Sequence, residues 1–150
     1  MTTNYKDKIY RLNCLAHDLD AVYHQAALKL GISDSVLCIL YVIYEKGDSC
    51  LLQDICNESS ISKQTINSAL RKLEKDEILY LEQDKGRAKR VCLTDKGKVY
   101  LDQTAAKLYE AENNVFEDWT EDEYDSYVRL MRKYIDSLRI QIDKMGEKEL

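Results

Sequence analysis

The chain of 150 residues has no proline, five glycines, two histidines, one tryptophan and one phenylalanine. Without proline, glycines and side-chain caps must punctuate its elements. So few glycines leave little scope for a phosphate-cradling loop or a nucleophile elbow; neither motif occurs, and no catalytic residues are expected. Histidine is equally scarce. Cys14 and His17 lie three apart and His24 two helical turns beyond His17, but transition-metal sites usually need three or four nitrogen or sulfur ligands, which argues against a metal sensor. No metal or cofactor is expected. The five cysteines, Cys14, Cys38, Cys50, Cys56 and Cys92, include no CxxC pair. An odd number without that spacing is neither a disulfide framework nor a zinc ribbon. No apolar run approaches the roughly 20 residues that span a bilayer. Met1 to Asp20 also lacks the uninterrupted apolar core of a secretory signal, so a cytoplasmic protein with no membrane partner is expected.

What is present is a globular composition, 33% charged and 45% hydrophobic, in a chain long enough to bury a core. The net charge of −5, taken alone, opposes a nucleic-acid partner. Its distribution reverses that impression. Ser60 to Tyr100 carries ten Lys or Arg against six acids, a balance of +4, and leaves −9 on the remainder. A basic segment on an acidic body is the electrostatic footprint of a phosphate-binding face.

Within that segment, Ser62 to Leu73 reads as a short amphipathic helix. Ser62 is placed to cap it, and Ile61 and Ile66 to staple its entry. Ile66, Ala69, Leu70 and Leu73 share one side at helical spacing. Gln64, Asn67, Ser68 and Arg71 share the other and offer amide and guanidinium groups suited to base edges. The same pattern alone would also describe an ordinary surface helix. Downstream, Ile78 to Gln83 reads as a strand, Asp84 to Gly86 as a turn and Lys89 to Leu93 as a returning strand. Lys85, Arg87, Lys89 and Arg90 place four cations in six residues, suited to phosphates beside a groove or to a reach into the minor groove.

The flanks are helical, giving six helical segments and one hairpin. Tyr5, Ile9, Leu12, Ala16, Leu19, Tyr23, Ala26 and Leu30 form a four-three seam that ends at Gly31. Ser33 caps the next helix, apolar nearly all round from Val36 to Tyr44. Leu51 to Asn57 and the Ser62 helix, joined by a short polar turn, make a helix-turn-helix. Thr94 caps a helix carrying Leu101, Ala105, Leu108, Val115 and Trp119. Thr120 and Glu123 form a capping box, stapled by Trp119 and Tyr124, before a second seam of Tyr124, Val128, Met131, Ile135, Leu138, Ile142 and Met145. Two such seams could satisfy each other, but flanking one basic unit they suggest a two-fold homodimer.

This order of elements resembles the MarR family of winged-helix transcriptional regulators. Ser62-Lys-Gln-Thr65 through Arg71-Lys-Leu-Glu-Lys75 is similar to the family's recognition helix, and Leu93-Thr-Asp-Lys-Gly97 to its signature after the wing. The resemblance spans nearly the whole chain. It implies a mainly α fold with a small β-hairpin wing, a winged helix-turn-helix flanked by long dimerisation helices. On that basis residues 1–150 form a single domain, with 1–47 and 98–150 as the helical dimerisation region and 48–97 as the DNA-binding lobe. It also implies an obligate dimer on a pseudo-palindromic double-stranded operator, with half-sites near one helical turn apart. Ser62, Lys63, Thr65, Lys72 and Lys75 then join Gln64, Asn67, Ser68, Arg71 and the four wing cations as DNA-binding candidates.

Two departures bear on geometry. Glu77 stands where the family often has glycine, at a cost of about 1 kcal/mol if that site is left-handed. Lys85 replaces the acidic residue that usually orients the tip arginine, here Arg87, with Asp84 as the substitute partner. The resemblance further implies a small-molecule effector, for which Tyr10, His17, Tyr23, Tyr41 and Tyr44 are the pocket candidates; the tyrosines also read as core aromatics. Cys14 is the candidate thiol for a redox-sensing alternative, although no basic cluster surrounds it. A second alternative is a winged-helix interaction module without DNA binding. The leading expectation is a ligand-responsive, homodimeric repressor.

Overall fold

The computed structural model describes residues 4–146 of the chain, so residues 1–3 and 147–150 of the expected 1–150 domain lie outside the described residues. Its elements are α1 (Lys6–Leu30), α2 (Asp34–Lys46), β1 (Ser49–Leu51), α3 (Leu52–Glu58), α4 (Lys63–Lys75), β2 (Leu79–Gln83), β3 (Lys89–Leu93), α5 (Asp95–Gln103), α6 (Ala105–Val115) and α7 (Glu121–Asp143). They divide between two compact units, Met1–Tyr109 and Glu110–Leu150. The mainly α architecture with a small antiparallel sheet is the fold class expected from the sequence.

The caps follow the sequence. Gly31 at φ 70° ends α1 in the left-handed conformation, and Ile32 N–H donates back to the Ala27 carbonyl over 3.1 Å. Ser33 then opens α2 by accepting from Val36 N–H, and Ser62 opens α4 by accepting from Thr65 N–H. The core of the first unit forms around α2, whose Val36, Ile39, Leu40, Val42 and Ile43 are buried with Ile55, Ile66, Leu70, Leu73, Leu79 and Val91. Complete burial of a side chain the size of Ile66 contributes about 1.5–3 kcal/mol, so the apolar face of α4 is firmly seated.

The sheet has three strands in the order β1-β3-β2. Only its hairpin is expected from the sequence; β1 is the addition. Three residues carry too little alternation to announce a strand, and β1 exists because Ser49, Cys50 and Leu51 find partners in Cys92, Val91 and Arg90.

After the wing, Thr94 accepts from Gly97 N–H at 2.9 Å and donates its hydroxyl to the Glu77 carbonyl at 2.6 Å. One threonine thus caps α5 and holds the turn that follows α4. The single helix expected beyond Thr94 is broken in two. Thr104, only 3% exposed, turns its hydroxyl onto the Tyr100 carbonyl at 2.7 Å and leaves the helical conformation at ψ −92°. A hydroxyl that bonds back to the preceding turn competes with the backbone ladder and bends it.

In the second unit, Thr120 and Glu123 make the expected capping box, with reciprocal bonds of 2.9 and 3.2 Å. The aromatic staple is paired differently from the expectation. Tyr124 meets Phe116 at 5.4 Å between ring centres, while Trp119 meets Tyr127 at 5.6 Å, both edge to face. None of the 23 residues of α7 is buried in the single chain. Its seam of Tyr124, Val128, Met131, Leu138 and Ile142 is exposed, as are Tyr5 at the start of α1 and Ile9, Leu12, Leu19 and Tyr23 within it.

Candidate nucleic-acid interface

The two faces of α4 separate as its sequence requires. Ile66, Ala69, Leu70 and Leu73 are buried, whereas Lys63, Gln64, Thr65, Ser68, Arg71, Lys72 and Lys75 are exposed and Asn67 is half-buried. Gln64, Ser68 and Arg71 are spaced four and three apart and therefore form one polar ridge. Ser62 is engaged differently from these donors. Its hydroxyl lies 2.8 Å from that of Thr65 and also caps the helix, so both residues organise the first turn. Lys72 and Lys75 stand in the last turn, where their charge complements the negative end of the helix dipole.

The helix ends in a left-handed turn, although glycine is absent. Glu77 has φ 59°, and Ile78 N–H donates to the Leu73 carbonyl over 2.9 Å. Lys96 supplies a further hold, its ammonium donating to the Asp76 carbonyl at 2.8 Å. The tertiary contacts thus impose on Glu77 a conformation costing roughly 1–2 kcal/mol for a residue with a β-carbon.

In the wing, Asp84 N–H donates to Ala88 carbonyl at 2.9 Å and Ala88 N–H to Lys85 carbonyl at 3.3 Å. Gln83 donates its amide to the Gly86 carbonyl. Lys85, Arg87 and Lys89 are exposed on this tightened tip. Asp84 does not take the role of partner to Arg87. Its Oδ1 accepts from Lys85 N–H at 2.7 Å and its Oδ2 from Arg90 Nε at 2.9 Å. These bonds from the Lys85 backbone and the Arg90 guanidinium hold the Asp84 carboxyl below its usual range. Arg90 also donates from Nη1 to Ser49 Oγ at 3.3 Å. The sequence shows four similar cations; the fold makes one of them a strut.

The effector candidates are not gathered into one described cavity. Tyr10, His17 and Tyr23 are exposed along α1, while Tyr41 and Tyr44 are half-buried on α2. Tyr109, which sequence reasoning missed, has its ring centre 6.4 Å from that of Tyr41 and 5.1 Å from that of Tyr44. It lies one residue past Leu108, off the apolar stripe of the helix expected after Thr94, where the pattern carries no signal for it. An open depression of about 650 Å³ in the second unit is lined by Asp118, Trp119, Asp122, Glu123, Ser126 and Tyr127. Glu123 is already committed there to the cap of α7.

Cys14 is a half-buried free thiol. Burial pushes the Cys50 thiol up to about 11 and raises those of Cys38 and Cys92, which keeps these three protonated at neutral pH. His24 Nδ1 lies 2.9 Å from Asp34 Oδ2, an exposed link between the end of α1 and the start of α2.

The MarR family model matches residues 30–90, which covers α2 through the start of β3. No curated protein matches the chain in sequence. Solved structures match it along almost its full length. A MarR family regulator from Neisseria meningitidis shares 16% identity over 97% of this chain and 100% of its own, with a TM-score of 0.76. MepR of S. aureus in complex with DNA shares 20% identity over 92% and 99%, with a TM-score of 0.65. BpsR of Bordetella bronchiseptica, described for regulation of its DNA binding by 6-hydroxynicotinic acid, shares 19% over 89% and 98%, with a TM-score of 0.62.

Proposed function

Because the chain carries a MarR-family winged helix, we propose that it is a sequence-specific DNA-binding transcriptional regulator that acts as a homodimer. The single observation that carries this reading is the polar ridge of α4, with Gln64, Ser68 and Arg71 exposed above a buried apolar face and a cationic wing in the same unit. Gln64 and Arg71, two helical turns apart, present bidentate groups to base edges, and Lys85, Arg87 and Lys89 present charge to phosphates.

Homodimerisation is supported by the exposed apolar seams of α1 and α7. A 23-residue helix with none of its residues buried needs a cover, and a second copy of the chain supplies one. Two-fold symmetry would then place two copies of α4 in successive major grooves of a pseudo-palindromic operator. Repression, relieved by a small-molecule effector, is the regulatory mode we propose. BpsR offers the parallel of a small molecule that regulates DNA binding. Such a ligand must bind the incompetent dimer more tightly than the competent one, and the Tyr41, Tyr44 and Tyr109 cluster is the proposed place for it. The domain division follows: residues 48–97 read DNA, and 1–47 with 98–150 pair the copies.

Mapping the DNA protected by purified protein around its encoding locus tests this reading. Two related half-sites near one helical turn apart are expected. If no duplex is protected at low salt, a protein-interaction role without DNA replaces the proposal.

A further inference from the structure

We infer that Arg90 positions the wing and is not a phosphate contact, so that the cations offered to DNA from the wing are Lys85, Arg87 and Lys89. The inference rests on the DNA-binding reading above and concerns how this chain builds its wing. Arg90 sits on the central strand β3, directly opposite Leu51 of β1 and Glu82 of β2. Its guanidinium leaves that point in two directions: Nε donates to Asp84 Oδ2 at 2.9 Å, at the entrance of the wing turn, and Nη1 donates to Ser49 Oγ at 3.3 Å on β1. Ser49 pairs with Cys92, two residues along from Arg90 and therefore on the same pleat face, which explains how one side chain reaches it.

The geometry separates Arg90 from its neighbours. The side chains of Arg90 and Asp84 are 35% and 22% exposed, whereas Lys85, Arg87 and Lys89 are exposed residues. A phosphate approaching Arg90 would meet the Asp84 carboxylate beside it, which cancels most of the attraction. Asp84 in turn uses its second oxygen to accept from Lys85 N–H at 2.7 Å. The pair therefore connects the first residue of the tip to the strand that joins the sheet to α2. This brace holds the wing with a lysine at position 85, through Asp84 bonded to the Lys85 backbone on one side and to Arg90 on the other.

The test uses the full chain in two measurements on Arg90→Met, Asp84→Asn, their combination and Arg87→Met. The first is the salt dependence of binding to a duplex carrying the protected site. Arg90→Met and Asp84→Asn should each weaken binding about tenfold, the scale of one charge-assisted hydrogen bond, with the double variant no weaker than either single one. The slope of log affinity against log salt should stay at the wild-type value in all three, while Arg87→Met should reduce it by about 0.9. Charge alone predicts the opposite sign for Asp84→Asn, since removing an acid next to DNA should tighten binding. The second measurement is amide hydrogen exchange at Asp84 and Ala88 without DNA, which should accelerate in both single variants. A lower slope for Arg90→Met, tighter binding by Asp84→Asn, or unchanged exchange in both overturns the inference. Should the wild type bind no duplex at low salt, the DNA reading fails, and the exchange measurement still decides whether the brace exists.

Discussion

Gly97 faces the carbonyl oxygen of Ile78 so closely that a β-carbon at position 97 would stand 1.8 Å from it. The first turn of α5 is thereby pressed against the chain where it leaves α4 for β2. Thr94 reinforces the same junction, its N–H donating to that same Ile78 carbonyl at 3.1 Å. The Leu93-Thr-Asp-Lys-Gly97 motif is therefore a clamp, with threonine as the cap and glycine as the space for a neighbouring backbone.

Gly97→Ala should be severely destabilising, because the obstructing atom is backbone and cannot rotate away. Overpacking of this kind costs about 3 kcal/mol, which lowers Tm by roughly 10 °C in a chain of this size. Thermal unfolding followed by circular dichroism measures it, and a Tm within a degree or two of wild type would refute the clamp.

Glu77→Gly should have the opposite sign. Position 77 is left-handed at φ 59°, where a β-carbon is strained and glycine is not. Urea unfolding should show a gain of about 1 kcal/mol, in keeping with the left-handed penalty. An equal loss would mean that the glutamate side chain compensates for its own backbone strain.

The pH dependence of the wing follows from Asp84. Its folded-state carboxyl lies below the ordinary value, so the contribution of its bonds is fully present above the unfolded value of about 3.9 and is lost as pH falls through the lower folded one. Carboxyl titration by NMR should place Asp84 below ordinary aspartates in the wild type and return it toward them in Arg90→Met. An unshifted Asp84 in the wild type would contradict the bond to Arg90.

Leu138→Glu tests the covering of α7. Leu138 is exposed in the single chain and lies on the seam proposed to pair two copies. A carboxylate buried in the proposed interface should yield monomer in sedimentation velocity with helicity retained, since among the described residues nothing buries Leu138. A variant that sediments as the wild type would place the interface elsewhere.

The sequence exposed the parts of this fold that rest on local chemistry. Ser33, Ser62, Thr94 and Thr120 each announce a helix and each caps one, because a hydroxyl that bonds the third residue on needs no tertiary help. What it concealed depends on pairing and burial that no local pattern marks. β1 exists only through its pairing with β3, and the break at Thr104 arises from a buried hydroxyl bonding back to Tyr100 without glycine or proline to mark it. The ridge Gln64, Ser68 and Arg71 was legible from periodicity. The division of labour among Lys85, Arg87, Lys89 and Arg90 was not, since a run of cations reads alike until the hairpin register brings Asp84 to one of them.

The central claim is that the exposed ridge of α4 reads base sequence while the wing supplies charge. Its most direct measurement is the ratio of affinities for the protected duplex and a scrambled duplex of equal length, at fixed salt, for the wild type, Arg71→Ala and Arg87→Ala. The account predicts a marked wild-type preference that Arg71→Ala relaxes by about 1–3 kcal/mol, while Arg87→Ala weakens both duplexes together and leaves the ratio intact. A wild-type ratio near one, or a ratio that Arg71→Ala leaves unchanged, would contradict it.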